Sequence, residues 1–449
     1  MPELKMKVLL LGADGFIGRH IAFYLRENGV QVIAQARIPS KLARMGIATL
    51  QADFNNRATH APAFWQPHLD ANTHIINAAG LLTGTAKAFQ AVHVTAPAAA
   101  YAARHPGTQA LLISAVGIEA DTPFSHWRRQ GETAARAAEA TILRAGLVLA
   151  DTSYGGSSLI RALAAMPFVT PVIGTGEQPF NPIHASDLAA IALECLQNPT
   201  PGTWEIGGPQ TVTQTGILRA TQSWLGLPQH PLLHIPNPLA RRFGQIGDAL
   251  GIGPISATSV AQLEQGVLAD PAPLLEHLRA EAQIPQARPA DAHPPQTAQA
   301  SPILPSHQPR PFTQFLQTRP AGTQDLWQAR LYLLKPLIRL TLAALWLTSA
   351  ALGLLLPPET YLAQIALPAT LTLILAKAGG LADAALGIAL LRNWRPKTTA
   401  ILQLLMVLGY TLGLSLIAPA LWLDPFGGML KNLPILALLL THLALTEER

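Results

Sequence analysis

The sequence predicts a doubly wound, parallel α/β sheet followed by an all-α, four-helix transmembrane domain. Three observations carry this. A glycine-rich turn lies between an apolar run and a helical pattern near the amino terminus. Short apolar runs then alternate with helical stretches, the pattern of a parallel sheet with helices on both faces. After residue 337 come four long apolar stretches with few charges.

The first run, Val8 to Leu11, has no polar residue and reads as a buried parallel strand. Ile17, Ile21 and Leu25 fall at helical spacing, so a helix follows at once. Between them lie Gly12, Gly15 and Gly18. In that context the first glycine allows a tight turn, the second a close approach to a pyrophosphate, and the third close packing of helix on strand. The first-turn N–H groups and the helix dipole then favour phosphate. Gly12, Asp14, Gly15, Phe16, Ile17 and Gly18 are therefore candidate nucleotide-binding residues.

Val30 to Ala34 reads as the second strand, with Arg37 just beyond it and Lys41 nearby. A carboxylate here would hold the ribose 2′-hydroxyl of NAD, whereas an arginine suits the 2′-phosphate of NADP. The residues are Gln35, Ala36 and Arg37, so NADP(H) is expected over NAD(H). Ala48 to Asp53 is a third strand, with Asp53 a candidate on the adenine side. His74 to Gly80 is the fourth strand and its turn, in which Asn77, Ala78, Ala79 and Gly80 let the backbone lie against a cofactor. Ala110 to Ser114 and Ile142 to Val148 are the fifth and sixth strands.

Composition sets bounds. The 449 residues are enough for two or three domains. They are 49% hydrophobic and 13% charged, with a formal charge of +5 and no basic run, so no nucleic-acid partner is expected. Basic residues gather near the apolar stretches, which suits an anionic membrane surface. The one cysteine, Cys195, excludes an internal disulfide or a cysteine-based metal site and reads as packing. The amino-terminal apolar run is too short for a signal peptide.

The glycine triplet, the Asn77-Ala78-Ala79-Gly80 turn, Ile113 to Gly117 and Ile142-Leu143-Arg144 resemble the short-chain dehydrogenase/reductase superfamily, with its Rossmann domain. They are most similar to its atypical extended branch, related to the complex I accessory subunit. Pro182 to Ala189 and Thr203 to Pro209 resemble later segments of that branch. The resemblance covers about residues 5 to 285. It implies a Tyr-x-x-x-Lys pair, the tyrosine giving a proton and the lysine holding the ribose. Counted back from Gly131-Glu132, those positions hold Phe124 and Arg128. Phenylalanine has no proton to give, and arginine is effectively always charged. Ser114, Arg128 and His126 remain the catalytic candidates, with Tyr154 as a further acid–base candidate on the loop after the sixth strand. His184 and Asp187 do not read as a metal site; Ser186 or Asp187 is expected to cap the following helix.

From 284 to 329 prolines interrupt any helix, and the stretch reads as a linker between a nucleotide domain (1–283) and a membrane domain (330–449). The apolar stretches are Leu337 to Leu356, Pro368 to Leu391, Thr399 to Leu421, and the shorter Asn432 to Leu445. A bilayer core of about 30 Å asks for about 20 residues per helix. Arg330, Lys335, Arg339, Arg392, Arg395 and Lys397 lie on one side, so the nucleotide domain and carboxyl terminus are expected in the cytoplasm at a cell inner membrane. Lys377 and Asp383 fall within the second stretch. Gly379 to Gly387 and Asp424 to Pro434 resemble the DoxX-like membrane family, whose members are linked to quinone redox and thiol stress. The expected activity is NADP(H)-dependent reduction of a lipophilic or quinone substrate. The alternative is a nucleotide-binding sensor or assembly factor for a membrane complex. A nucleotide-gated transporter built around Asp383 is a third reading.

Overall fold

The computed structural model describes residues 6–253, 255–283, 307–363, 365, 367–425 and 427–447. The chain divides into two units. One comprises Met1–Gln245 and Pro254–Leu326; the other comprises Ile246–Gly253 and Trp327–Arg449.

The first unit is built on a seven-stranded sheet. Its first six strands in chain order are β1 (Lys7–Leu11), β2 (Gln31–Ala36), β3 (Ala48–Gln51), β4 (Thr73–Asn77), β5 (Ala110–Ala115) and β6 (Thr141–Ala145). The seventh, Gly202–Ile206, closes the edge beside β6. From that edge the order is β6, β5, β4, β1, β2, β3, and every pairing is parallel. The order reverses between β1 and β4, which is where ligands bind in open sheets of this kind. Two cores show why β1 is apolar at every position from Val8 on. Val8 and Leu10 face a cluster with Ile21 and Leu25 of α1 (Phe16–Glu27) and Leu188 and Ile191 of the helix Ala185–Gln197. Leu9 and Leu11 face the opposite cluster, with Trp65, Tyr101 and Ala135. Period-2 side chains buried on both faces leave no polar position. Cys195 lies in the first cluster, and burial pushes its thiol up to about 12.

The second unit is helical. Thr323–Leu355, which begins in the first unit, is followed by Ala369–Leu391, Pro396–Ile417 and Asn432–Leu445. The first three are long and apolar enough to cross a membrane. The fourth has 14 residues, about 21 Å of helix, and is the short one that the sequence marks at Asn432 to Leu445. Trp346, Leu386, Val407 and Leu439 lie in the core of this unit. Asp383 is 3% exposed; it accepts from Ser349 Oγ at 2.6 Å and Tyr410 Oη at 2.9 Å. Lys377 donates to the Leu354 carbonyl at 2.6 Å.

The linker expectation over 284–306 lies outside the described residues. For 307–326 it is corrected: this stretch belongs to the first unit. Phe312 and Phe315 are buried there, on the short helix Phe312–Gln317. Proline content hid two aromatic side chains that a groove could bury.

Candidate functional site

The glycine turn is sterically closed. Gly12 has φ +72, and a Cβ on it would lie 2.7 Å from the Ala79 Cα. A Cβ on Gly18 would lie 2.1 Å from the Gly12 carbonyl oxygen. Gly15 caps α1 with no side chain over the helix end, which leaves first-turn N–H groups for an anion. Phe16 and Ile17 are half-buried, and Asp14 is exposed on the turn.

Gln35 is a residue that reasoning from sequence passed over. It is 3% exposed. Its Oε1 accepts from the Gly12 N–H at 2.8 Å, and its Nε2 donates to the Ala52 carbonyl at 2.6 Å. A polar residue among the apolar side chains of β2 was the available signal. Beyond it, Arg37 is exposed at the end of β2. Asp53 is also exposed and accepts from the backbone and side chain of Asn55.

Asn77 ends β4 and is buried. It donates to Tyr101 Oη at 2.9 Å and accepts from the Ala79 N–H at 3.0 Å, which fixes the turn through Ala78 and Ala79. A Cβ on Gly80 would sit 2.5 Å from Arg128 Nη2 and would push the guanidinium aside. Arg128 is itself buried on the helix Pro123–Ala137. Its Nη1 donates to the carbonyls of Ala79 and Ile113 at 3.4 and 3.3 Å, and its Nε has no partner among the described residues. Burial pulls its pKa down to about 10, so it stays charged at neutral pH.

Ser114, one of the catalytic candidates, is buried near the end of β5 with its hydroxyl committed. Its Oγ donates to Glu132 Oε1 at 2.7 Å. Glu132 is fully buried and also accepts from Arg144 and Arg136 at 2.8 to 2.9 Å. Burial opposes its charge, but these donors prevail and hold its carboxyl below the usual range. Phe124 is buried with Phe89 and Ile118, and the Arg128 guanidinium lies 5.6 Å from its ring centre. His126 does not join this group: it is exposed, edge-on to Trp127. Tyr154 is 52% exposed, on a loop held by Ser157.

A second cluster lies farther along. The helix Ala185–Gln197 is capped by the His184 ring, whose Nδ1 accepts from the Ser186 N–H at 3.3 Å. This corrects the expected Ser186 or Asp187 cap. The Asp187 carboxylate instead grips Arg310: Oδ2 accepts from its N–H at 2.9 Å, and its Nε lies 3.0 and 3.2 Å from the two oxygens. His307 adds a bond at 3.1 Å. Among the described residues no group of His, Cys, Asp and Glu could hold a metal.

Residues 8–116, which carry the glycine turn and β4, match the NAD dependent epimerase/dehydratase family, and residues 343–440 match the DoxX-like family. The chain joins an epimerase-type Rossmann domain to a DoxX-like domain. A curated relative, the chloroplastic epimerase family protein SDR39U1 homolog of Arabidopsis thaliana, is 23% identical over 269 residues, covering 51% of this chain and 76% of its own. The Rossmann domain is also similar to solved structures. The UDP-glucose 4-epimerase of Thermus thermophilus in complex with NAD is 16% identical, with 61% of this chain and 93% of that one covered, at a TM-score of 0.46. The dTDP-glucose 4,6-dehydratase of Bacillus anthracis in complex with NAD is 13% identical, with 51% and 84% covered, at 0.43.

Proposed function

We propose that this protein is a membrane-anchored oxidoreductase that binds NADP(H) in preference to NAD(H) and reduces a lipophilic acceptor, a quinone among them. The observation that carries the reading is the closed glycine turn with its uncapped helix end, in one chain with helices apolar enough for a bilayer. The residues fit the nucleotide. The backbone of Gly12 to Gly18 would take the pyrophosphate, Arg37 the 2′-phosphate, Asp53 the adenine side, and Asn77 to Gly80 the nicotinamide half. A ribose hydroxyl would satisfy the orphaned Arg128 Nε. The bound nucleotide supplies hydride. A quinone takes its proton from water, so Phe124 in place of a proton donor harms this reaction less than carbonyl reduction. Charge asymmetry around the apolar helices favours a cytoplasmic nucleotide domain at a cell inner membrane.

The test is titration of detergent-solubilised protein with NADPH and NADH, followed by nucleotide fluorescence. Tight NADPH binding that decays on adding a short-chain quinone supports the reading. Arg37→Glu should remove the preference for NADPH. A second reading is a nucleotide-binding sensor or assembly factor for a membrane complex. It is favoured by Phe124 and by the commitment of the Ser114 hydroxyl to Glu132. Tight binding with no decay under any quinone would select it.

A further inference from the structure

We propose that a pocket walled by Ile160, Trp224, Phe312 and Phe315 binds an apolar molecule bearing a carbonyl group, held by the Nε2–H of His184. The inference deepens the reading above and rests on its apolar acceptor. The pocket is partly open to solvent and lies wholly in the first unit. Its walls come from the helix Gly156–Ala164, the helix Gln214–Trp224 and the segment 307–326, so it is incomplete without that segment.

The polar groups of the lining decide the ligand. Ser157 Oγ donates to the Tyr154 carbonyl, and Thr221 Oγ1 to the Ile217 carbonyl. Arg161 is committed to the carbonyls of Ala150 and Asp151 and to Asp325. Among the lining residues no cation is left to hold an anionic ligand. His184 differs. Its Nδ1 faces the Arg310 Nη2 at 2.9 Å, the Ser186 hydroxyl at 2.7 Å and the Ser186 N–H at 3.3 Å. Facing donors, Nδ1 accepts, so the neutral ring carries its proton on Nε2. Burial, then the Arg310 charge, holds the ring below its ordinary pKa and hence neutral at pH 7. Nε2 is turned toward Asp151 Oδ1 at 3.9 Å, too far for a hydrogen bond. The pocket thus offers apolar walls and one spare donor, the complement of a ketone, enone or quinone carbonyl. Arg310 is a positioning residue: it fixes the tautomer.

The experiment needs no turnover, so its failure is distinct from a failure of nucleotide chemistry. Acetophenone and ethylbenzene differ in the carbonyl, and their binding to the full chain in lipid nanodiscs is measured by ligand-observed NMR. His184→Asn keeps an acceptor for the Ser186 N–H and removes the Nε2 donor. It should weaken acetophenone about tenfold and ethylbenzene less than about twofold. Phe315→Trp fills the pocket and should weaken both. Equal loss of the two probes in His184→Asn, no loss of either, or binding unaffected by Phe315→Trp overturns the proposal. So does a native protein that binds neither probe.

Discussion

His93 makes the first domain sensitive to acid in a way that one substitution isolates. The ring is 3% exposed, stacked on Phe89 at 5.6 Å and edge-on to Phe124 at 6.0 Å. Its Nε2 accepts from the Leu81 N–H at 3.0 Å. Burial, and then the Arg128 charge, push its pKa down to about 3. The unfolded chain binds a proton at this residue near pH 6.5, and the folded domain does not. Stability from this group is therefore intact above that pH and falls as pH drops toward the folded value. At pH 5 the unfolded residue is about 1.5 units below its pKa, which amounts to about 2 kcal/mol. His93→Gln keeps an acceptor for the Leu81 N–H and removes the titration. Amide hydrogen exchange of β5 in the full chain, converted to an opening free energy at pH 7.5 and pH 5, measures the effect. The native protein should lose about 2 kcal/mol more than the variant over that interval. Parallel losses in the two proteins would refute the assignment of a neutral, buried His93.

Three other outcomes are expected. Gly15→Val has an allowed φ of −71, and its Cβ would lie 3.2 Å from the Gly12 carbonyl oxygen. The domain should fold while NADPH affinity, read by fluorescence titration, drops at least about a hundredfold, because the side chain stands over the helix end. Ser114→Ala should cost about 1.5 to 3 kcal/mol in denaturant unfolding, the worth of a buried bond to a charged group. Its nucleotide affinity should stay within about twofold, whereas a substrate-binding serine would show the reverse. Asp187→Asn weakens the hold on Arg310, whose N–H donates to Asp187 Oδ2, and hydrogen exchange at that amide should run at least about ten times faster; an unchanged rate would show that the burial of Phe312 and Phe315 suffices alone.

The glycine turn was legible because three glycines at fixed spacing, with a strand before and a helix after, fit few arrangements besides a phosphate-binding turn. The apolar helices were legible because bilayer thickness sets their length. What escaped depends on partners far away in sequence. Ser114 read as a candidate because a strand-end hydroxyl is visible, while Glu132, its partner 18 residues on, is invisible until the helix Pro123–Ala137 lies against β5 and β6. His126 was named for its chemistry, but helical rotation turns it outward while Arg128 points in. The cap at Ala185 came from a histidine ring, because Arg310, 123 residues away, had claimed Asp187. Segment 307–326 read as linker for the same reason: its prolines are local, and its anchors are not.

The Gln35 clamp bears on the rate at which nucleotide arrives. Its amide ties Gly12 to Ala52 through bonds of 2.8 and 2.6 Å, so the turn is already set in the free protein. Little backbone has to order when a dinucleotide docks, and little entropy is lost there. Association should then proceed in one fast phase with a shallow temperature dependence, and variants in nucleotide affinity should differ chiefly in how slowly the nucleotide departs. With Gln35 replaced by Leu, the turn would have to be ordered at each encounter, and a slow second phase in stopped-flow traces would appear.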